Sequence, residues 1–197
     1  MPINAPQPPD VALEAVRRSM ARRHGTRPTP EETPVLPASI SAPQRVFTVG
    51  LDALAGPAAV EESARATGWR FLVEEDREPV AAAEVQDQVP AAQPAELTEG
   101  PFVHSTVEAL RAAEALEPVR DADFELRLLR VPALNLLVLW LHTIEGEDLF
   151  MPLEPAPPPF EARRSYPEPE FARLITASAQ RALDLQLQAE RPNELGG

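Results

Sequence analysis

The most hydrophobic segment of the chain reads RVPALNLLVLWLH, residues 130–142, and the other predicted elements are arranged around it. A membrane-spanning helix needs about 20 apolar residues. The uninterrupted apolar run here is only about half that length, because Asn135 breaks it and Arg130 and His142 bound it. Pro132 is unfavourable inside a helix but is tolerated at the start of a strand or at a bulge. Both alternating faces of the run are apolar, which is typical of a central strand covered on both sides. We therefore interpret it as the hydrophobic centre of a sheet and not as a membrane anchor.

The segments on either side of this run predict further strands. In DFELRLLR, residues 123–130, apolar residues alternate with charged ones, and DLFMPLE, residues 148–154, alternates around Phe150. The intervening TIEGED, residues 143–148, has the composition of a turn. The pattern predicts a three-stranded antiparallel meander over residues 123–153.

The remaining segments alternate between helical and extended patterns. Helices are predicted at 10–23, 58–67, 105–117 and 168–190, and strands at 45–49, 69–74 and 79–85. This order predicts an α+β fold with a mostly antiparallel sheet of five or six strands and helices mainly on one face, plus an N-terminal arm and a C-terminal helix. The expected organisation is a helix and Pro-rich arm (1–44), a core (45–154, with a linker at 86–100), a Pro-rich connector (155–167), an amphipathic helix (168–191) and a flexible tail (192–197).

The composition excludes several classes of function. The formal net charge of −13 argues against general binding to nucleic acids or anionic membranes. The absence of Cys excludes disulfides, thiolate metal sites and a cysteine nucleophile. The first residues show no basic segment followed by an apolar run, so we expect no signal peptide and a cytoplasmic protein. All 18 basic residues are Arg, which fits a GC-rich genome.

Two segments carry residue types that are used in catalysis or metal binding. The densest set of possible metal ligands is His142, Glu145, Glu147 and Asp148. Because HTIEGED matches no calcium-loop or zinc spacing, a solvated turn is the favoured interpretation and a metal-dependent enzyme is an alternative. In HSTVE, residues 104–108, a capping box explains the serine: Ser105 would cap a helix and Glu108 would return the hydrogen bond. No catalytic, cofactor-binding or metal-binding residue is assigned, and no cofactor is expected.

The chain ends in NELGG, residues 193–197. On Leu195, Gly196 and Gly197 it resembles the ubiquitin-like modifiers and sulfur carriers, whose flexible tails end in Gly-Gly. The resemblance covers these three residues and implies activation at the C-terminal carboxylate. A frayed end after Pro192 is the alternative interpretation.

The two terminal helices are the predicted interaction surfaces. A basic cluster, RRSMARRHGTR, spans residues 17–27, from the second half of the first predicted helix into the segment after it. The last helix carries leucines outside its main apolar stripe. The candidate partner-binding residues are Val11, Val16, Arg17, Arg18, Met20, Arg22, Arg23, Leu183 and Leu187. We expect a non-catalytic adaptor or assembly component that binds protein partners or a second copy of itself.

Overall fold

The computed structural model describes residues 3–23, 25, 38–56, 59–76, 78–87 and 94–190. Within these residues there are nine strands and six helices. The strands are β1 (Ile3–Asn4), β2 (Ala38–Thr48), β3 (Arg65–Glu75), β4 (Glu78–Gln86), β5 (Glu96–Thr98), β6 (Phe124–Val131), β7 (Leu136–His142), β8 (Leu149–Pro152) and β9 (Tyr166–Pro167). The helices are α1 (Asp10–Arg23), α2 (Leu51–Leu54), α3 (Val60–Ser63), α4 (Pro101–Glu114), α5 (Glu117–Asp121) and α6 (Glu168–Glu190).

The strands form one sheet in the order β5-β4-β3-β2-β6-β7-β8-β9, and β1 pairs separately with β6. The pairs β2–β6 and β1–β6 are parallel, and the other pairs are antiparallel. The predicted α+β class with a mostly antiparallel sheet is thus confirmed. The predicted number of strands is too small, because β1, β5 and β9 contain only two or three residues, too few to show an alternating pattern.

The meander predicted from the hydrophobic centre is confirmed as β6, β7 and β8. Its first turn was not predicted: Pro132–Leu134 forms a short 3-10 turn, and Asn135 closes it with φ 48°. Asn adopts this left-handed conformation more readily than most residues. The hydrophobic run therefore contains the end of one strand, a turn and the whole of β7.

Apolar residues cover both faces of the meander. On one face, Trp140 and Phe150 pack in a cluster with Phe171 of α6 and residues of α2. On the other face, Leu128 and Leu139 pack in a cluster with α4 and α5. Helices therefore lie on both faces of the meander: α2 and α6 on one face, and α4 and α5 on the other.

The helix α1 packs against its own sheet. Val16 and Met20 are fully buried in a cluster with Phe71 of β3 and Ala83 of β4. The buried Ser19 hydroxyl also donates a hydrogen bond of 2.7 Å to the carbonyl of Ala95. Small alanines on β4 leave room for the helix to approach closely.

The prediction of a helix at 58–67 is wrong. Residues 57–58 lie outside the described part of the chain, α3 spans only Val60–Ser63, and β3 begins at Arg65. Pairing with β2 and β4 overrides the local helical pattern, since β3 is hydrogen-bonded on both sides. Gly68, the residue directly after the helix predicted at 58–67, lies within β3, where a Cβ atom would be 2.2 Å from the carbonyl oxygen of Val85.

Among the helices in the described ranges, none is long and apolar enough to cross a bilayer.

Candidate functional sites

The predicted partner-binding residues of α1 differ in exposure. Val11 is 57% exposed, while Val16 and Met20 are fully buried against the sheet. Arg22 and Arg23 are exposed, and Arg23 forms an ion pair with Glu99.

The other two basic residues of α1, Arg17 and Arg18, are half-buried. Arg18 lies 3.6 Å from Glu14, one helical turn earlier. On α1, Val11 is therefore the predicted apolar residue that a partner could reach.

The last helix has a packed part and an exposed part. Phe171, Ile175 and Ala179 are fully buried, and the half-buried Leu183 packs against the same core cluster. Every side chain from residue 184 to residue 189 is exposed. Leu185 and Leu187 are each 60% exposed. The packed part of α6 thus ends about two turns before the helix does.

Of the four possible metal ligands in the turn at residues 142–148, the structure brings together two. His142 and Asp148 lie with Glu61 of α3 so that one ligand atom from each is within 4.8 Å of the others. Glu145 and Glu147 are exposed and lie outside this cluster. Sequence spacing could not indicate Glu61, because it approaches the turn only through the packing of α3.

The atoms of this cluster that could bind a metal already make contacts within the protein. Asp148 is buried and accepts hydrogen bonds from the Trp140 indole nitrogen (2.6 Å) and the Thr143 backbone nitrogen (3.0 Å). His142 Nδ1 lies 3.1 Å from the same carboxylate. A cation could bind here only by displacing some of these contacts, so the arrangement suits a clamp that holds the β7–β8 hairpin.

Arg127 stabilises the other side of the cluster. Its guanidinium group donates to Glu61 (3.2 Å) and lies 4.9 Å from the Trp140 ring centroid. Cations over indole rings are favourable contacts. The nearby Glu168 carboxyl has a raised pKa, because partial burial penalises its charge and the carboxylates of Asp148, Glu61 and Glu147 repel it.

A cavity of about 400 Å³ lies beneath the start of α4 and was not predicted from the sequence. Arg70, Glu84 and Arg130 form its polar floor, Glu96, Thr98 and Glu99 line its exposed edge, and Phe102, Val103, Leu136 and Leu137 are among its apolar walls. Sequence reasoning missed it because Arg70 alternates with apolar residues in β3, as a solvent-facing residue would.

Arg70 is a buried cation, 2% exposed. Its Nη1 donates to the Thr106 hydroxyl (2.8 Å) and its Nη2 to the carbonyl of Phe102 (3.3 Å). Its Nε makes no hydrogen bond to any residue in the described ranges and lies 3.6 Å from Glu84. Burial, together with repulsion from Arg130, lowers the pKa of Arg70 to about 10, and the attraction of Glu84 offsets part of this.

The predicted cap at Ser105 is wrong. Helix α4 begins at Pro101, after Gly100, since proline suits the first helical position. Ser105 is buried inside the helix, where its hydroxyl accepts a 2.5 Å hydrogen bond from the backbone nitrogen of Glu154. The neighbouring His104 is exposed.

His24 and the tail residues Gly196 and Gly197 lie outside the described residues. Comparisons of the chain with protein-family models, with curated proteins and with solved structures found no match.

Proposed function

We propose that the protein is a non-catalytic interaction component that presents the outer end of α6 to a protein partner. The observation that carries this proposal is the exposed segment 184–189, which continues a well-packed helix beyond its own core. Leu185 and Leu187 place apolar surface on this segment. A helix end of this kind fits a groove in a partner, which is a common mode of protein recognition.

The partner is proposed to be a different protein. The exposed segment is short, about 9 Å of helix. Two such ends packed side by side would bury far less than the roughly 1,200 Å² of a stable interface. A groove that surrounds the helix end would cover both leucines and more of the backbone surface. A groove on another protein is therefore favoured over self-association.

Paired charge substitutions in the full chain test this proposal. Leu185→Glu with Leu187→Glu should lower co-purification of the partner by at least about tenfold, because burying a charge in an apolar groove is costly. Gln186→Glu with Gln188→Glu is the matched control, since it adds the same charge at neighbouring exposed positions. Both variants should keep the unfolding midpoint of the wild type.

Photo-crosslinking identifies the contact directly. A photoreactive residue at position 187 should give one crosslinked protein in cells of the source organism, while the same residue at Arg173, an exposed position on the packed part of α6, should not. Equal co-purification by the two paired variants, or no adduct from position 187, would overturn the proposal. A crosslink between two copies of this chain would likewise count against a different protein as partner.

A further inference from the structure

A row of polar side chains crosses the sheet below α4. Glu96 pairs with Glu84, Glu84 with Arg70, and Arg70 with Gln44, in register across β5, β4, β3 and β2. Residues directly opposite in antiparallel strands have Cβ atoms about 5 Å apart. These side chains therefore form a continuous polar line under the cavity, on a sheet face whose neighbouring positions Leu72 and Ala82 are buried and apolar.

The floor of the cavity has more positive than negative charge. Arg130 Nη2 lies 2.6 Å from both carboxylate oxygens of Glu84, and the same carboxylate is the acid nearest to Arg70. Two guanidinium groups thus share one carboxylate. The hydrogen-bond acceptors around Arg70 are neutral, namely Gln44, Thr106 and the Phe102 carbonyl. Because a buried charge is normally paired with an opposite one, the floor is complementary to one anionic group.

The exposed edge of the cavity has the opposite sign. Glu96 and Glu99 both line this edge. Glu99 is paired with Arg23, whereas Glu96 has no ion pair within the described part of the chain. Among the described residues that line the cavity, the edge therefore carries one unpaired negative charge and the floor one excess positive charge.

We propose that this cavity binds a free α-amino acid with an apolar side chain. The carboxylate lies against Arg130, whose side chain is 35% exposed and can be reached, within the field of the buried Arg70. The ammonium group faces Glu96, and the side chain packs against Phe102, Val103 and Leu136. A cavity of about 400 Å³ is within the usual range for small-molecule sites.

Calorimetric titration of the full chain tests this with probes that share the carbon skeleton of leucine and each lack one of its charged groups. L-leucine should bind with a Kd below about 1 mM. Isoamylamine, which lacks the carboxylate, and 4-methylpentanoate, which lacks the ammonium group, should each bind at least about tenfold more weakly. No binding of L-leucine, L-methionine or L-phenylalanine would overturn the proposal, and so would equal binding of L-leucine and 4-methylpentanoate.

Variants separate the two ends of the ligand. Arg130→Gln should weaken the binding of both L-leucine and 4-methylpentanoate. Glu96→Gln should weaken the binding of L-leucine at least about tenfold but leave the binding of 4-methylpentanoate unchanged. Glu114→Gln, an exposed position on α4 outside the cavity lining, is the matched control. If Glu96→Gln binds L-leucine as the wild type does, the assignment of the ammonium contact is wrong.

Discussion

Asp148 shows how one buried residue organises a turn. Its carboxylate accepts hydrogen bonds from Trp140 and from the backbone of Thr143, while the adjoining residues 144–147 are exposed. Asp148→Asn should lower the free energy of unfolding by about 2–4 kcal/mol, because an amide group would face N–H donors and leave buried groups unpaired. Urea unfolding followed by tryptophan fluorescence measures this.

The control for Asp148 is the neighbouring exposed residue. Glu147→Gln should change the free energy of unfolding by less than about 0.5 kcal/mol. If Zn²⁺ or Mg²⁺ raised the unfolding midpoint of the wild type but not of Asp148→Asn, the cluster would be a cation site and the clamp interpretation would be wrong.

Glu168 should make stability depend on pH. Its pKa is raised in the folded protein by burial and by neighbouring carboxylates, so the folded chain holds this proton more tightly than the unfolded chain. This contribution favours folding below the ordinary glutamate pKa and is lost as pH rises through the raised value. Glu168→Gln should therefore gain stability relative to the wild type as pH increases.

Urea midpoints of the wild type and Glu168→Gln between about pH 4 and pH 8 measure this difference. Glu145→Gln, an exposed residue outside the cluster, should show no such trend. A difference between wild type and Glu168→Gln that stays constant with pH would contradict the raised pKa.

At the scale of elements, α1 allows a comparison between two valines on one helix. Val16 is fully buried against β3 and β4, whereas Val11 is 57% exposed. Val16→Ala should lower the free energy of unfolding by about 2 kcal/mol, because it leaves a cavity in the core. Val11→Ala should change it by less than about 0.5 kcal/mol. Equal effects in thermal or urea unfolding would mean that α1 is not docked on the sheet in solution.

The same helix shows the limit of periodicity. The spacing of Val11, Val16 and Met20 correctly indicates a helix but does not show what covers each residue. Its neighbour in space is β4, whose Ala81 and Ala83 leave room for it. The helix predicted at 58–67 failed for the converse reason, because strand pairing outweighs a local helical preference.

At the scale of the whole molecule, β2 joins the two halves of the sheet. It pairs with β3 on one side and with β6 on the other. Trp69 lies in the cluster under α1, and Trp140 lies in the cluster that includes α6. Because a continuous hydrogen-bonded sheet connects these clusters, we expect them to unfold together.

The two tryptophans report separately on the halves of the sheet. In Trp69→Phe and in Trp140→Phe, the urea midpoint from the remaining tryptophan should coincide with the midpoint from circular dichroism of the same variant. Trp140→Phe also removes the donor to Asp148, so each variant serves as its own reference. Two separated transitions in either variant would show that the halves unfold independently.

The sequence by itself determined the α+β class, the meander around the hydrophobic run and the last helix, because these depend on local periodicity and on apolar faces that must be buried. Only the tertiary structure decided that Val16 and Met20 are core residues, that Glu61 joins His142 and Asp148, and that Arg70 lies under α4. These features depend on residues far apart in the chain. A spacing pattern describes one element at a time, whereas burial and charge pairing are set by whichever elements pack together.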